Sequence, residues 1–270
     1  WNWHSGSSFC WSVSVLSGPY SRNDPDCIMI WAIIALALGG IVKGAIGAGV
    51  PIIAIPVLTM THDVQFAVAV LLAPNLIANV WQAWVYRSDM LPRNFLIPFA
   101  LGGAAGVAVG TYGLTTVPQD GLSLIVATAV LVYVAIRLLN PTLTLPYRVG
   151  HKLALPIGTI AGVLQGATGM SAPISVTFLN ALRLERRVFI GTIAVFFTAL
   201  TIMQIPALAV TGILTAERAV VSLIALATVL SFMPIGAFLA KHLSRRFFDF
   251  VTLGLLVVLA AKIFFDGLLF

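Results

Sequence analysis

Lys43-Gly44-Ala45-Ile46-Gly47-Ala48-Gly49-Val50-Pro51-Ile52 returns in altered form as Gln165-Gly166-Ala167-Thr168-Gly169-Met170-Ser171-Ala172-Pro173-Ile174. The two decapeptides agree at five of ten positions with a constant offset of 122 residues: Gly44/Gly166, Ala45/Ala167, Gly47/Gly169, Pro51/Pro173 and Ile52/Ile174. Each interrupts an apolar run, Ile28–Met60 or Leu153–Asn180, that is too long for one ordinary span of about 20 residues. Three spanning-length runs follow each break: Val64–Tyr86, Phe95–Gly113 and Gly121–Leu139, then Val188–Gly212, Ala219–Ala240 and Phe247–Phe265. Gly and Pro are common in membrane helices, but that alone does not produce an in-register match repeated in the same layout. The chain reads as a duplicated unit, each copy a broken helix plus three transmembrane helices.

Composition supports a membrane protein. Hydrophobic residues make up 60% of the 270, charged residues only 9%, and mean hydropathy is +1.04. A soluble domain carries about a quarter charged residues. The net charge of +6 is not a nucleic-acid signal, because the Lys and Arg residues flank apolar runs as they do beside membranes. No nucleic-acid partner is expected. Cys10 and Cys27 precede the first run, as free thiols or as one disulfide, and no Cys/His cluster suggests a metal. Residues 1–27 read as a poorly structured extension, 28–139 as the first membrane repeat, 140–152 as a linker and 153–270 as the second repeat.

Orientation follows from the basic residues, which collect in cytoplasmic loops. If each broken run crosses the membrane, eight (Arg22, Arg87, Arg93, Arg137, Arg148, Lys152, Arg218, Lys262) face six (Arg183, Arg186, Arg187, Lys241, Arg245, Arg246). If each enters and leaves on one face, the division is eleven (Arg87, Arg93, Arg137, Arg148, Lys152, Arg183, Arg186, Arg187, Lys241, Arg245, Arg246) to three (Arg22, Arg218, Lys262), with Lys43 inside. The second arrangement obeys the positive-inside rule better. It predicts an all-α integral membrane fold of two inverted repeats, each a re-entrant broken helix of short arms plus three transmembrane helices. The tail then lies outside.

Non-helical backbone cannot face lipid, so the two breaks must face protein or a watery cavity. In inverted-repeat transporters the substrate sits at the midplane between such breaks. Glycines allow close approach and unusual turns, and Pro51 and Pro173 suit the start of a second half-helix. The free N–H groups and the helix dipole there favour an anion by about 0.3–2 kcal/mol per helix end. All nine acidic residues lie in the tail, in loops or near span ends, whereas Lys43 lies well inside. A mid-membrane Lys costs roughly 2.5–3.5 kcal/mol. It therefore serves an anion, or caps the carbonyls ending the first half-helix, and the two roles are compatible.

Gly44, Gly47, Ala48 and Gly49 in the first break, with Gln165, Gly166, Thr168, Gly169 and Ser171 in the second, complete the candidate backbone cradle. Thr168 and Ser171 can donate to oxyanion oxygens or cap locally. Asn75 and Asn79 put two amides on one helix face, with Gln82 continuing roughly along it. Thr198, Thr201 and Gln204 lie in the corresponding part of the second half, and Thr198 joins the candidate set. Polar side chains in membranes also simply join helices. Gly102, Gly106 and Gly110, spaced by four, mark close helix packing, and Trp81, Trp84 and Tyr86 an interfacial aromatic belt.

The paired G-x-x-G-x-[G/S]-x-P breaks, half a chain apart, resemble the sulfite exporter TauE/SafE family over roughly Ile28 to Phe265. The resemblance implies a duplicated multi-pass protein of the bacterial inner (plasma) membrane. It also implies transport, as an exporter, of a small anionic partner such as sulfite or an organosulfonate, with lipid around it. Ala48 and Met170-Ser171 depart from the more glycine-rich breaks of typical members, and Lys43 is not a general family feature. Neither a cofactor nor a catalytic residue is expected. The Gly-Met-Ser-Ala-Pro segment is not a serine-protease elbow, H-E-x-x-H is absent, and all four His residues lie outside span interiors. The competing reading is a non-transporting membrane scaffold.

Overall fold

A computed structural model describes residues 25–139 and 144–242, together with Gly254. The described residues form helices and no strand. In chain order these are α1 (Pro25–Ile46), α2 (Val50–Thr61), α3 (Val64–Val70), α4 (Leu72–Val85), α5 (Arg93–Thr116), α6 (Gln119–Leu139), α7 (Tyr147–Thr168), α8 (Ala172–Ala181), α9 (Arg186–Val210) and α10 (Ala216–His242). Five stretches among them are long and apolar enough to cross a membrane: Met29–Ile46, Val64–Val85, Arg93–Thr116, Arg186–Val210 and Ala216–Ala240. Outward-facing side chains such as Leu101, Val109, Ile224 and Phe238 are large and apolar. Such a surface suits lipid rather than water. Phe247–Phe265 apart from Gly254, most of the N-terminal extension and the Cys10 and Cys27 side chains lie outside the described residues; the first helix already begins at Pro25.

Both expected interruptions are present, but they are not central. The first arms, α1 and α7, have 22 residues each, and the second arms, α2 and α8, have 12 and 10. At 1.5 Å per residue a 22-residue arm is about 33 Å long, enough to cross a bilayer. The expectation of two short arms is therefore corrected for the first arm of each pair. In the first break the turn is made by Gly47 (φ 82°) and Gly49 (φ 155°), and in the second by Gly169 (φ 73°). These are angles that L side chains rarely adopt.

Where the broken segments start and end is fixed by hydrogen bonds. Leu145 N–H, just before α7, donates to the Ala181 carbonyl that ends α8, at 2.7 Å. The chain therefore enters α7 and leaves α8 at the same place. At that end of the bundle, Tyr147 and His151 pack around Phe95 near the start of α5. At the opposite end, α3 begins beside the junction of α5 and α6, with Gln65 Nε2 on the Leu114 carbonyl (3.1 Å) and Val64 N–H on Gln119 Oε1 (3.3 Å). Arg218 near the start of α10 pairs there with Asp63 at 3.7 Å. The end of α4 meets the start of α9, where Asp89 pairs with Arg187 at 3.0 Å and Leu91 N–H donates to Thr192 Oγ1. Helix α9 therefore runs opposite to α3–α4.

Two helix pairs lock the halves together through glycine. A Cβ on Gly102, Gly106 or Gly110 of α5 would meet the Leu155, Thr159 and Val163 carbonyls of α7 at 2.5, 2.2 and 2.1 Å. In the same way Gly40 and Gly44 of α1 lie against the Val229 and Met233 carbonyls of α10, and Gly236 of α10 against Ile41. Small residues let backbones approach where no hydrophobic effect drives helix association. The register carries information. Gly162 meets Gly103 and Gly166 meets Val107, as Gly40 meets Val229 and Gly44 meets Met233. The partners are thus 126 apart (229 − 103, 233 − 107) while the broken helices are 122 apart (162 − 40, 166 − 44). Four residues are gained ahead of α10.

One expected span is kinked. Val64–Tyr86 splits at Leu71 into α3 and α4. Pro74 explains the split, because its ring crowds the carbonyl four residues earlier and it has no N–H to offer. Ser222 Oγ of α10 accepts the neighbouring Ala73 N–H at 3.0 Å. The matching position of α9 is Phe196 (74 + 122), and α9 is continuous there.

Gly106→Val is expected to lower the melting temperature of the detergent-purified protein by several degrees, because its Cβ would sit 2.2 Å from backbone of α7. Gly113→Ala, with nothing within 4 Å, is expected to leave it unchanged or raise it slightly, since Ala is favoured in a helix by about 0.5–1 kcal/mol.

Candidate functional site

The two breaks meet. A cavity of about 20 Å³ is lined by Gly49, Pro51 and Asn75, Asn79 from the first half and by Gln165, Ser171, Ala172 and Phe197, Thr201 from the second. It has room for about one water molecule. Six of the nine lining residues form pairs at the same offset of 122: Gly49/Ser171, Asn75/Phe197 and Asn79/Thr201. The first turns of α2 and α8 face it, with Pro51 and Pro173 in their first two positions and no side chain capping either. Free N–H groups and the positive ends of two short helices thus converge on one point.

The long arms end at this cavity and are held by two glutamines. Gln82 Nε2 donates to the Lys43 carbonyl at 3.3 Å, and Gln204 Nε2 donates to the Gln165 carbonyl at 3.2 Å. Donors and acceptors in the two bonds are each 122 apart (204 − 82, 165 − 43). Each of these carbonyls also accepts a backbone N–H, from Gly47 at 2.8 Å and from Gly169 at 2.7 Å, so the glutamines add a second bond at each arm end. Buried amides so placed cost about 1–3 kcal/mol if the partner is lost.

The side chains at the two arm ends differ. Gln165 Nε2 donates to Gln204 Oε1 at 3.2 Å, and Gln165 Oε1 accepts from Ser171 Oγ at 2.9 Å. That half is a closed neutral network. Lys43 in the first half donates to Asn79 Oδ1 at 2.7 Å and to the Gly47 carbonyl at 3.1 Å, while Asn79 Nδ2 donates to the Asn75 carbonyl. Gln82 Oε1 is left buried without a partner. Lys43 is 1% exposed, and every other buried polar side chain among the described residues is neutral. An ammonium has three donors, and two are used. Arg186, in the first turn of α9, donates to the Ala45 carbonyl of the same arm end.

The residues singled out from sequence separate into three groups, with Thr198 apart from all of them. Gly49, Asn75, Asn79, Gln165 and Ser171 line the cavity, and Lys43 is bonded directly to its wall. Gly47, Ala48, Thr168 and Gly169 shape the turns behind it. Gly47 lies against Ile190 and Gly169 against Ile55 and Val68, while Thr168 donates to the Leu164 carbonyl and accepts from Met170 N–H. Ser171 likewise spends its proton inside the protein, on Gln165. Gly44 and Gly166 instead press on backbone of α10 and α5, a packing role that a glycine facing away from the cavity can serve. Thr198 does not reach the cavity and donates to the Ala194 carbonyl of its own helix. Thr201 takes that place. Applying the offset of 122 to Asn79 and Gln82 would have selected Thr201 and Gln204 from sequence.

A buried cavity between half-helix N-termini, with amide and hydroxyl side chains among its lining and set in a bundle of apolar helices, is the architecture of a membrane transporter. A family model, sulfite exporter TauE/SafE, matches residues 32–263, and the chain belongs to that family. It is a multi-pass membrane protein of the sulfite-exporter type. No curated protein and no solved structure matches the chain.

Gln204→Leu removes the partner of the Gln165 amide, while the Gln165 carbonyl keeps its bond from Gly169 N–H. A stability loss of about 1–3 kcal/mol is expected for the one unsatisfied group. It is read as a fall in melting temperature, with Gln204→Glu losing less.

Proposed function

We propose that this protein is a secondary transporter, working as an exporter, that carries sulfite or an organosulfonate bound at the cavity between its two breaks. The observation that carries this reading is Lys43, the one buried cation among the described residues, bonded to Asn79 on the wall of the cavity that the α2 and α8 N-termini line. Lys43 supplies charge, the amides around Gly49–Val50 and Ser171–Ala172 supply oriented donors, and Asn75, Asn79 and Thr201 fix orientation. The cavity as it stands holds about one water, so binding requires the helices around it to part. The family supports an anionic substrate.

The halves are inverted repeats, residues 28–139 and 153–270, joined by a linker at 140–152. In each half the broken helix enters and leaves the membrane on one face, and three crossings follow. Support comes from the Leu145–Ala181 bond, from the opposed directions of α4 and α9, and from the eleven-to-three division of basic residues. The basic-rich face is cytoplasmic, and the membrane is the plasma membrane of a bacterium.

In reconstituted vesicles, Lys43→Gln copies Gln165 and is expected to insert normally while weakening sulfite binding about ten-fold, since a charge-assisted hydrogen bond is about twice as strong as a neutral one. Gly169→Val is expected to abolish flux, because its Cβ would lie 2.9 Å from Ile55 at a φ of 73°. Unchanged affinity and flux in both would remove the breaks from the mechanism.

Topology is tested separately. Single cysteines in the loops at 62–63 and 182–185, in a background lacking Cys10 and Cys27, should react with an impermeant thiol reagent from opposite faces, the first from outside. Labelling of both from one side would exclude inverted halves.

A further inference from the structure

We propose that Lys43 makes this protein an anion exchanger: each anion carried one way is traded for another carried back, and the empty site does not return. The inference rests on the transport reading above and adds the coupling rule. Lys43 is buried beside a cavity of about 20 Å³, too small for a hydrated counter-ion. Its two partners, Asn79 Oδ1 and the Gly47 carbonyl, are neutral.

The surroundings offer little further compensation. The C-terminal end of α1 favours the ammonium, but the N-terminal ends of α2 and α8 oppose it, and Arg186 brings a second cation to the same arm end. No carboxylate is among the buried side chains of the described residues. A buried charge is tolerated when paired and costs several kcal/mol when its partner is removed. A bound monoanion is the only opposite charge the site can acquire. Loaded, the site is a neutral pair that can pass through a closed, dry state. Empty, it would have to drag an unpaired ammonium through the same state. Exchange of one monoanion for another follows, and it moves no net charge.

The test compares two fluxes of radiolabelled sulfite from proteoliposomes: into buffer containing unlabelled sulfite, and into buffer containing only an impermeant anion. Exchange is expected to exceed net efflux by about ten-fold or more, the factor that each 1.4 kcal/mol of barrier contributes. A membrane potential should leave exchange unchanged. In Lys43→Gln the ratio should fall toward one, through faster net efflux relative to exchange. Asn79→Asp, which places a carboxylate on the ammonium, should lower the ratio in the same way. Equal exchange and net efflux in the unaltered protein would overturn the inference and leave the transport reading intact. So would net efflux accompanied by one proton per anion, because the ammonium would then be shedding its charge on the return. Absence of both fluxes would strike the transport reading itself, and the inference with it.

Discussion

A helix that stops inside a membrane leaves N–H and C=O groups that lipid cannot satisfy, and enclosing them governs the rest of this structure. Each long arm presents its last-turn carbonyls to a glutamine of a neighbouring helix, Gln82 for α1 and Gln204 for α7. Each short arm presents its first-turn N–H groups to the cavity between the halves. Enclosure requires neighbours to come close, and the glycine contacts of α5 with α7 and of α10 with α1 provide that. In each pair a broken helix of one half is held by an unbroken helix of the other. The breaks are thus built jointly, and neither half encloses its own.

The two broken segments share a scaffold and differ in their chemistry. The scaffold bonds are kept in both halves at one spacing, whereas the side chains facing the cavity differ: Asn75 against Phe197, Asn79 against Thr201, Lys43 against Gln165. The second half closes its hydrogen bonds internally through Gln165, Gln204 and Ser171. The first half leaves an ammonium donor and the Gln82 carbonyl oxygen over. One half therefore reads as support and the other as the part that carries the charge.

Much of this was legible in the sequence because repetition and Gly/Pro punctuation are local signals. The breaks, the prolines at the short-arm starts, the packing glycines of α5 and the polar positions 75 and 79 are found where the pattern places them. What escaped depends on tertiary context. Thr198 and Thr201 are one turn apart on the same helix, and only the place of Thr201 in the cavity lining decides between them. The four residues gained ahead of α10 leave no mark in composition and emerge only from which glycine meets which carbonyl. The kink at Leu71 was readable from Pro74, but an apolar run hides it. The first arms are longer than the apolar runs suggest because α1 and α7 begin at Pro25 and Tyr147, ahead of Ile28 and Leu153.

The central claim is that a small anion sits between the N-termini of α2 and α8 beside Lys43. Anomalous diffraction from crystals grown with selenite, a heavier relative of sulfite, tests it most directly. A single selenium peak within hydrogen-bonding reach of the Val50 and Ala172 amides and the Lys43 ammonium, lost in Lys43→Gln, is the expected result. Selenium bound reproducibly elsewhere in the protein, with that cavity empty, would contradict it.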